Sequence, residues 1–174
     1  MKKISLFLAI IVVLFPSCLS VFDLSMKNEF DDANVDFKKV QFYNKNKIIL
    51  KRVLEKEEIN TTSGIVRFEN GKFYHEIIIK NNTPCVVDSI DDNENIINVR
   101  FEQGANKVLP FKFLIDRYKL TYLPGNSPHY YGKLEYDGKI YQVIEGSDAY
   151  LTMKRSDKLV ERTEKKVLEG IKVE

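Results

Sequence analysis

The chain has no tryptophan, two cysteines and two histidines among 174 residues, and each scarcity closes off a kind of function. His75 and His129 stand alone. Neither has a second histidine at ligand spacing, and no Cys, Asp or Glu set completes a zinc site, so both are read as structural or surface residues. Cys18 and Cys85 are too few for a disulfide framework. A Gly-x-Ser-x-Gly elbow, a phosphate-cradling glycine loop and a dinucleotide fingerprint are all missing. These gaps predict no catalytic residues, no metal and no cofactor. No apolar run reaches the roughly 20 residues that a membrane-spanning helix needs.

The longest apolar run lies at the start of the chain. Met1-Lys2-Lys3 precedes a mostly apolar stretch from Ile4 to Phe15, followed by Pro16, Ser17 and Cys18. A basic start, a short apolar centre and a small-residue exit are the marks of a secretory signal. Phe15-Pro16-Ser17-Cys18 resembles the lipobox of the bacterial lipoprotein signal: Ser17 and Cys18 fit, while Phe15 replaces the commonest leucine and Pro16 a less rigid residue. The resemblance covers the leader alone and implies a processing class. Residues 1–17 would be removed, Cys18 would carry the lipid, and the protein would sit in the bacterial cell envelope, on the outer or plasma membrane with its domain outside the cytoplasm.

Charge and thiol chemistry follow from that removal. The 27 basic residues less Lys2 and Lys3 leave 25, matched by 25 acidic ones. The mature chain is therefore neutral, with no basic footprint for nucleic acid. With Cys18 lipidated, Cys85 has no partner for a disulfide and is expected as a buried small hydrophobe between Pro84 and Val86.

Residues 18–36, rich in Asn and Asp, read as the lipidated cysteine and a tether, with a short helix around Met26 to Phe30. Residues 37–155 read as a β-domain. Ile97, Val99 and Phe101 alternate with polar residues, as do Tyr118, Leu120 and Tyr122, while Ile77 to Ile79 suits a strand buried on both faces. Turn signals recur at Asn70-Gly71, Asp91-Asp92-Asn93, Gln103-Gly104, Pro124-Gly125-Asn126 and Asp137-Gly138. Gly71, Gly104 and Gly138 stand at near-equal intervals, each after an aromatic residue, which reads as a faint β-repeat or as the same hairpin chemistry arising independently. The charged segment 156–174 reads as a helix or a last strand. The expected fold is mainly β: one antiparallel barrel or roll of roughly nine to eleven strands.

Two clusters invite functional readings. Asp88, Asp91, Asp92 and Glu94 lack the order of a calcium loop and read as a solvated hairpin tip. Seven of the nine tyrosines fall between residues 118 and 150. Tyr118, Tyr122, His129, Tyr130, Tyr131 and Tyr136 are the candidate binding residues, since a ring bearing a hydroxyl suits recognition of a protein or sugar. The leading expectation is a non-catalytic, lipid-anchored domain that binds a protein partner or an envelope glycan. The rivals are an envelope hydrolase using scattered carboxylates and a barrel that carries a small apolar ligand. Because the thioether needs the Cys18 sulfur, Cys18→Ser should abolish incorporation of labelled palmitate; undiminished labelling in that variant contradicts the lipobox reading.

Overall fold

The computed structural model describes residues 19–60, 62, 64–123 and 131–154. The leader with Cys18, the Pro124-Gly125-Asn126 turn, His129, Tyr130 and the segment 156–174 lie outside the described residues. In chain order the elements are β1 (Leu19–Val21), α1 (Leu24–Asp32), β2 (Phe42–Lys45), β3 (Ile48–Val53), β4 (Ile65–Glu69), β5 (Lys72–Ile79), β6 (Pro84–Asp91), β7 (Ile96–Arg100), β8 (Val108–Leu114), β9 (Arg117–Leu120), β10 (Lys133–Tyr136), β11 (Lys139–Glu145) and β12 (Tyr150–Lys154). No helix among the described residues is long and apolar enough to cross a membrane.

The mainly β expectation holds. One sheet runs β1-β12-β2-β6-β7-β8-β9, and β9 pairs back onto β12, closing six antiparallel strands into a barrel. The other sheet runs β10-β11-β3-β5-β4. The described strands number twelve, beyond the expected nine to eleven, and one reason is that β1 falls in the stretch read as a tether.

That tether is a correction. Phe22, Met26 and Phe30 are buried in the barrel core. The Phe22 ring meets Phe42 edge-on at 4.9 Å and stacks on Tyr118 at 5.5 Å. Asp23 caps α1 by accepting the Met26 N–H at 2.8 Å, and Asn34, at φ +52°, ends it. Met26 and Phe30, four apart, share the inward face. Lys27 is buried too, and its ammonium is bonded to Asp31 at 2.7 Å and to Asp92 at 2.8 Å, which pins the helix to the β6–β7 hairpin. Burial works against that charge, yet the two carboxylates together raise the lysine's pKa. The segment that precedes the barrel therefore helps to fill it, alongside Phe42, Phe111 and Tyr118 from the barrel strands.

The chain passes between the two sheets four times, and two of these joints, the turn from β2 to β3 and the turn from β5 to β6, meet at Asn44. Asn44, fully buried, holds both joints. Its Nδ2 donates to the carbonyls of Asn46 at 2.7 Å and Lys80 at 3.0 Å, and its Oδ1 accepts the Thr83 N–H at 2.9 Å. The Asn82 N–H donates to the Asn44 carbonyl at 2.8 Å.

Asn70-Gly71 and Asp137-Gly138 both take positive φ at tight hairpins of the second sheet, whereas Gly104 lies in the longer β7–β8 loop of the barrel. The near-equal glycine spacing thus falls on unlike structures: two of the three turns share tight-hairpin chemistry and the third does not. Ile77 to Ile79 is also corrected: Ile79 is buried, but Ile78 is 37% exposed, so one face of the run meets water. Asn44→Ala should lower unfolding free energy by about 3 kcal/mol in urea titration, because it strands buried backbone groups of two joints. A loss under about 1 kcal/mol contradicts this assignment.

Candidate functional site

The two sheets leave a cleft of about 620 Å³ between them. One side is β5, whose pairing is unequal on its two edges. On the β3 side it is paired from Tyr74 to Ile79, but on the other side β4 pairs only from Lys72 to Glu76. Among the described residues, the backbone of Ile77, Ile78 and Ile79 therefore has a ladder partner on the β3 side only, and all three residues line the cleft. The opposite wall is the barrel loop after β7, with Phe101, Glu102 and Lys107, together with Tyr136 and Asp137 of the β10–β11 hairpin.

Hydrogen bonds fix that wall. The Tyr136 hydroxyl donates to Glu102 Oε1 at 2.8 Å, Lys107 Nζ lies 3.1 Å from the same oxygen, and the Asp137 N–H donates to the Asn106 carbonyl at 2.8 Å. Burial alone would raise the Glu102 pKa, but the bonds from Tyr136 and Lys107 outweigh it and keep the carboxylate ionised below its ordinary range. Burial, and then the bond to Glu102, make the Tyr136 phenol a weaker acid.

Deeper in the cleft, Tyr141 gathers a second group. Its hydroxyl lies 2.8 Å from His75 Nδ1 and accepts from Arg52 Nε at 3.2 Å. Arg52 in turn bonds Glu58 at 2.8 Å, and Lys139 approaches the other Glu58 oxygen at 3.3 Å. Gly64 closes over the histidine: at φ +105°, a Cβ there would sit 2.9 Å from His75 Nε2. The result is a polar recess with an apolar rim of Ile65, Ile77, Ile79 and Phe101.

The tyrosine candidates divide. Tyr136 lines the cleft. Tyr118 does not: it is fully buried in the barrel, where burial pushes its phenol up to about 12, so it cannot meet a partner. Tyr122 is half-buried, and its ring lies where a Gly132 Cβ would fall, so it packs on bare backbone. Tyr131 is 52% exposed and precedes β10 instead of lying in a strand, away from the cleft lining. His129 and Tyr130 lie outside the described residues. Sequence reading missed His75 and Tyr141 as partners, because only the pairing of β5 through β3 to β11 brings them together.

The acidic cluster is a hairpin tip. Asp91 accepts the N–H groups of Asn93 and Glu94, while Asp88, Asp92 and Glu94 pair with Arg100, Lys27 and Lys112. No group of three metal-ligating side chains occurs among the described residues. Cys85 is buried, and desolvation raises its thiol pKa well above the ordinary range. Comparison with protein-family models, curated proteins and solved structures finds no match to this chain.

Glu58 makes the cleft's support pH-dependent. Arg52 first, then the Glu55 N–H and Lys139, lower its pKa from 4.5 to about 2. A depressed carboxylate stabilises the fold in full above its unfolded value, and that contribution is lost as pH falls through its folded value. Urea midpoints should therefore decline from about pH 4.5 towards 2, and Glu58→Gln should flatten part of that decline. An unchanged acid profile in the variant contradicts the assignment.

Proposed function

We propose that this is a non-catalytic, lipid-anchored protein of the bacterial cell envelope that binds an extended segment of a partner protein by strand addition to the open edge of β5. The observation that carries the reading is the edge itself: three consecutive residues that, among the described residues, are paired on one side only, within a walled cleft. Strand addition draws affinity from main-chain hydrogen bonds and selectivity from pockets for alternate side chains. Here the isoleucines and Phe101 suit an apolar side chain.

The same geometry supports a protein segment over the other readings. A glycan is better served by open aromatic platforms, and Tyr136 and Tyr141 are both largely buried. Hydrolysis needs two available carboxyl groups, whereas Glu102 is held by Lys107 and Tyr136, and Glu76 by Arg67 at 2.7 Å and Lys51 at 3.6 Å. A ligand carrier needs a hollow barrel, and this one is packed with Phe22, Phe30, Phe42, Phe111 and Tyr118.

A seven-residue peptide of alternating valine and threonine is a suitable probe. In a nuclear magnetic resonance titration it should shift the amides of Ile77, Ile78 and Ile79 saturably. N-methylation of alternate peptide amides should abolish the effect, because it removes the donors that pair with the edge. Phe101→Ala should weaken binding by about 2 kcal/mol if the ring is an anchor. Binding indifferent to N-methylation contradicts strand addition, and shifts produced at the same residues only by cell-wall glycan fragments favour the glycan reading.

A further inference from the structure

We propose that the barrel rests directly on the lipid bilayer through the tip of its β8–β9 hairpin, with Leu114 and Ile115 entering the interface. The proposal deepens the lipid-anchored reading and rests on it for the placement of the membrane.

The placement comes from strand register. On one edge of β12, Leu19 pairs with Lys154 and Val21 with Thr152, while Lys119 pairs with Tyr150. Because β9 is antiparallel to β12, stepping from Tyr150 towards Lys154 corresponds to stepping from Lys119 back towards the β8–β9 turn. The Arg117 guanidinium lies 4.8 Å over the Tyr150 ring, as that direction requires. The start of β1 and the hairpin tip thus share one end of the barrel. A residue bonded to Leu19 has its Cα about 3.8 Å away, so lipid on Cys18 attaches at this end with no spacer, since the chain is already in a strand at Leu19 and in the core at Phe22.

The tip is unusual in its chemistry. Ile115 is 90% exposed, more than any other large hydrophobic among the described residues, and Leu114 is 42% exposed. Ile115 sits at φ +65°, closed by the Asp116 N–H donating to the Leu114 carbonyl at 2.8 Å. That is a strained three-residue turn in which a β-branched side chain is disfavoured. Every other described non-glycine residue at positive φ is Asn or Asp, the residues that tolerate it. Among the described residues, only here is an apolar side chain placed on a strained turn and aimed into solvent. Lys112, Arg117, Lys119 and Lys154 lie on the strands around that end, but the β6–β7 hairpin tip with Asp91, Asp92 and Glu94 shares it, Lys112 lies 3.6 Å from Glu94 and Arg117 is bonded to Asp116, so the contact rests on the apolar tip and not on charge.

The test uses the full chain in a Cys85→Ala background, with Ile115→Cys or Asn70→Cys labelled by a polarity-sensitive fluorophore. Asn70 is on the β4–β5 hairpin of the other sheet. On phosphatidylethanolamine and phosphatidylglycerol vesicles carrying lipid-borne quenchers, the label at 115 should be blue-shifted and quenched severalfold more than that at 70. Equal quenching of vesicle-bound protein overturns the proposal. A second arm separates the tip from the anchor. In an unlipidated Cys18→Ser chain, Ile115→Gly, which also relieves the turn, should lower vesicle partitioning by about tenfold, the effect of losing one buried isoleucine side chain. No change there overturns the tip contact, whereas failure of the native chain to incorporate palmitate overturns the anchor and leaves the second arm to decide the tip.

Discussion

The arrangement of this protein depends on the buried amide of Asn44. A side chain with two donors and an acceptor is costly to enclose unless its bonds are met, and here they are met by backbone from two of the joints between the sheets. The chain leaves barrel strand β2 for β3 of the second sheet at one of these joints and returns from β5 to barrel strand β6 at the other, while β9 to β10 and β11 to β12 make two further crossings. Tying Asn46, Lys80 and Thr83 to one residue sets the distance between the sheets. The cleft is what that distance leaves open.

The barrel supplies the rigid half of this frame. A six-stranded barrel must be filled, and Phe22, Met26 and Phe30 help to fill it from the N-terminal segment while the Lys27 ion pairs hold the helix in place. The β7–β8 loop can then dock on the β10–β11 hairpin through Glu102 and Tyr136, forming a wall that faces the open edge of β5. Packing in the barrel, the joints at Asn44 and the geometry of the cleft form one chain of dependence.

Much of this fold is legible from local pattern. The alternation at Ile97, Val99 and Phe101 and the Asn-Gly and Asp-Gly turns correspond to β7 and to the two tight hairpins of the second sheet. The density of Asn and Asp between residues 23 and 36 concealed a core element, because polar residues there cap and face outward while Met26 and Phe30 point in. Tyrosine clustering did not separate core from surface: Tyr118 is enclosed and Tyr131 exposed within the same run. The cleft was the least legible feature. That β4 stops three residues short of the end of β5 is a property of long-range pairing, which no local pattern in the Ile77 to Ile79 run records.

The central claim is that the unpaired edge at Ile77 to Ile79 is a place for a strand. The most direct measurement is a set of intermolecular nuclear Overhauser contacts between an isotope-labelled protein and the unlabelled alternating peptide. The account predicts antiparallel or parallel ladder contacts from peptide Hα and amide protons to the backbone of residues 77–79, with peptide side chains near Phe101 and Tyr136. Contacts confined to side chains elsewhere on the molecule, with no ladder along β5, contradict it.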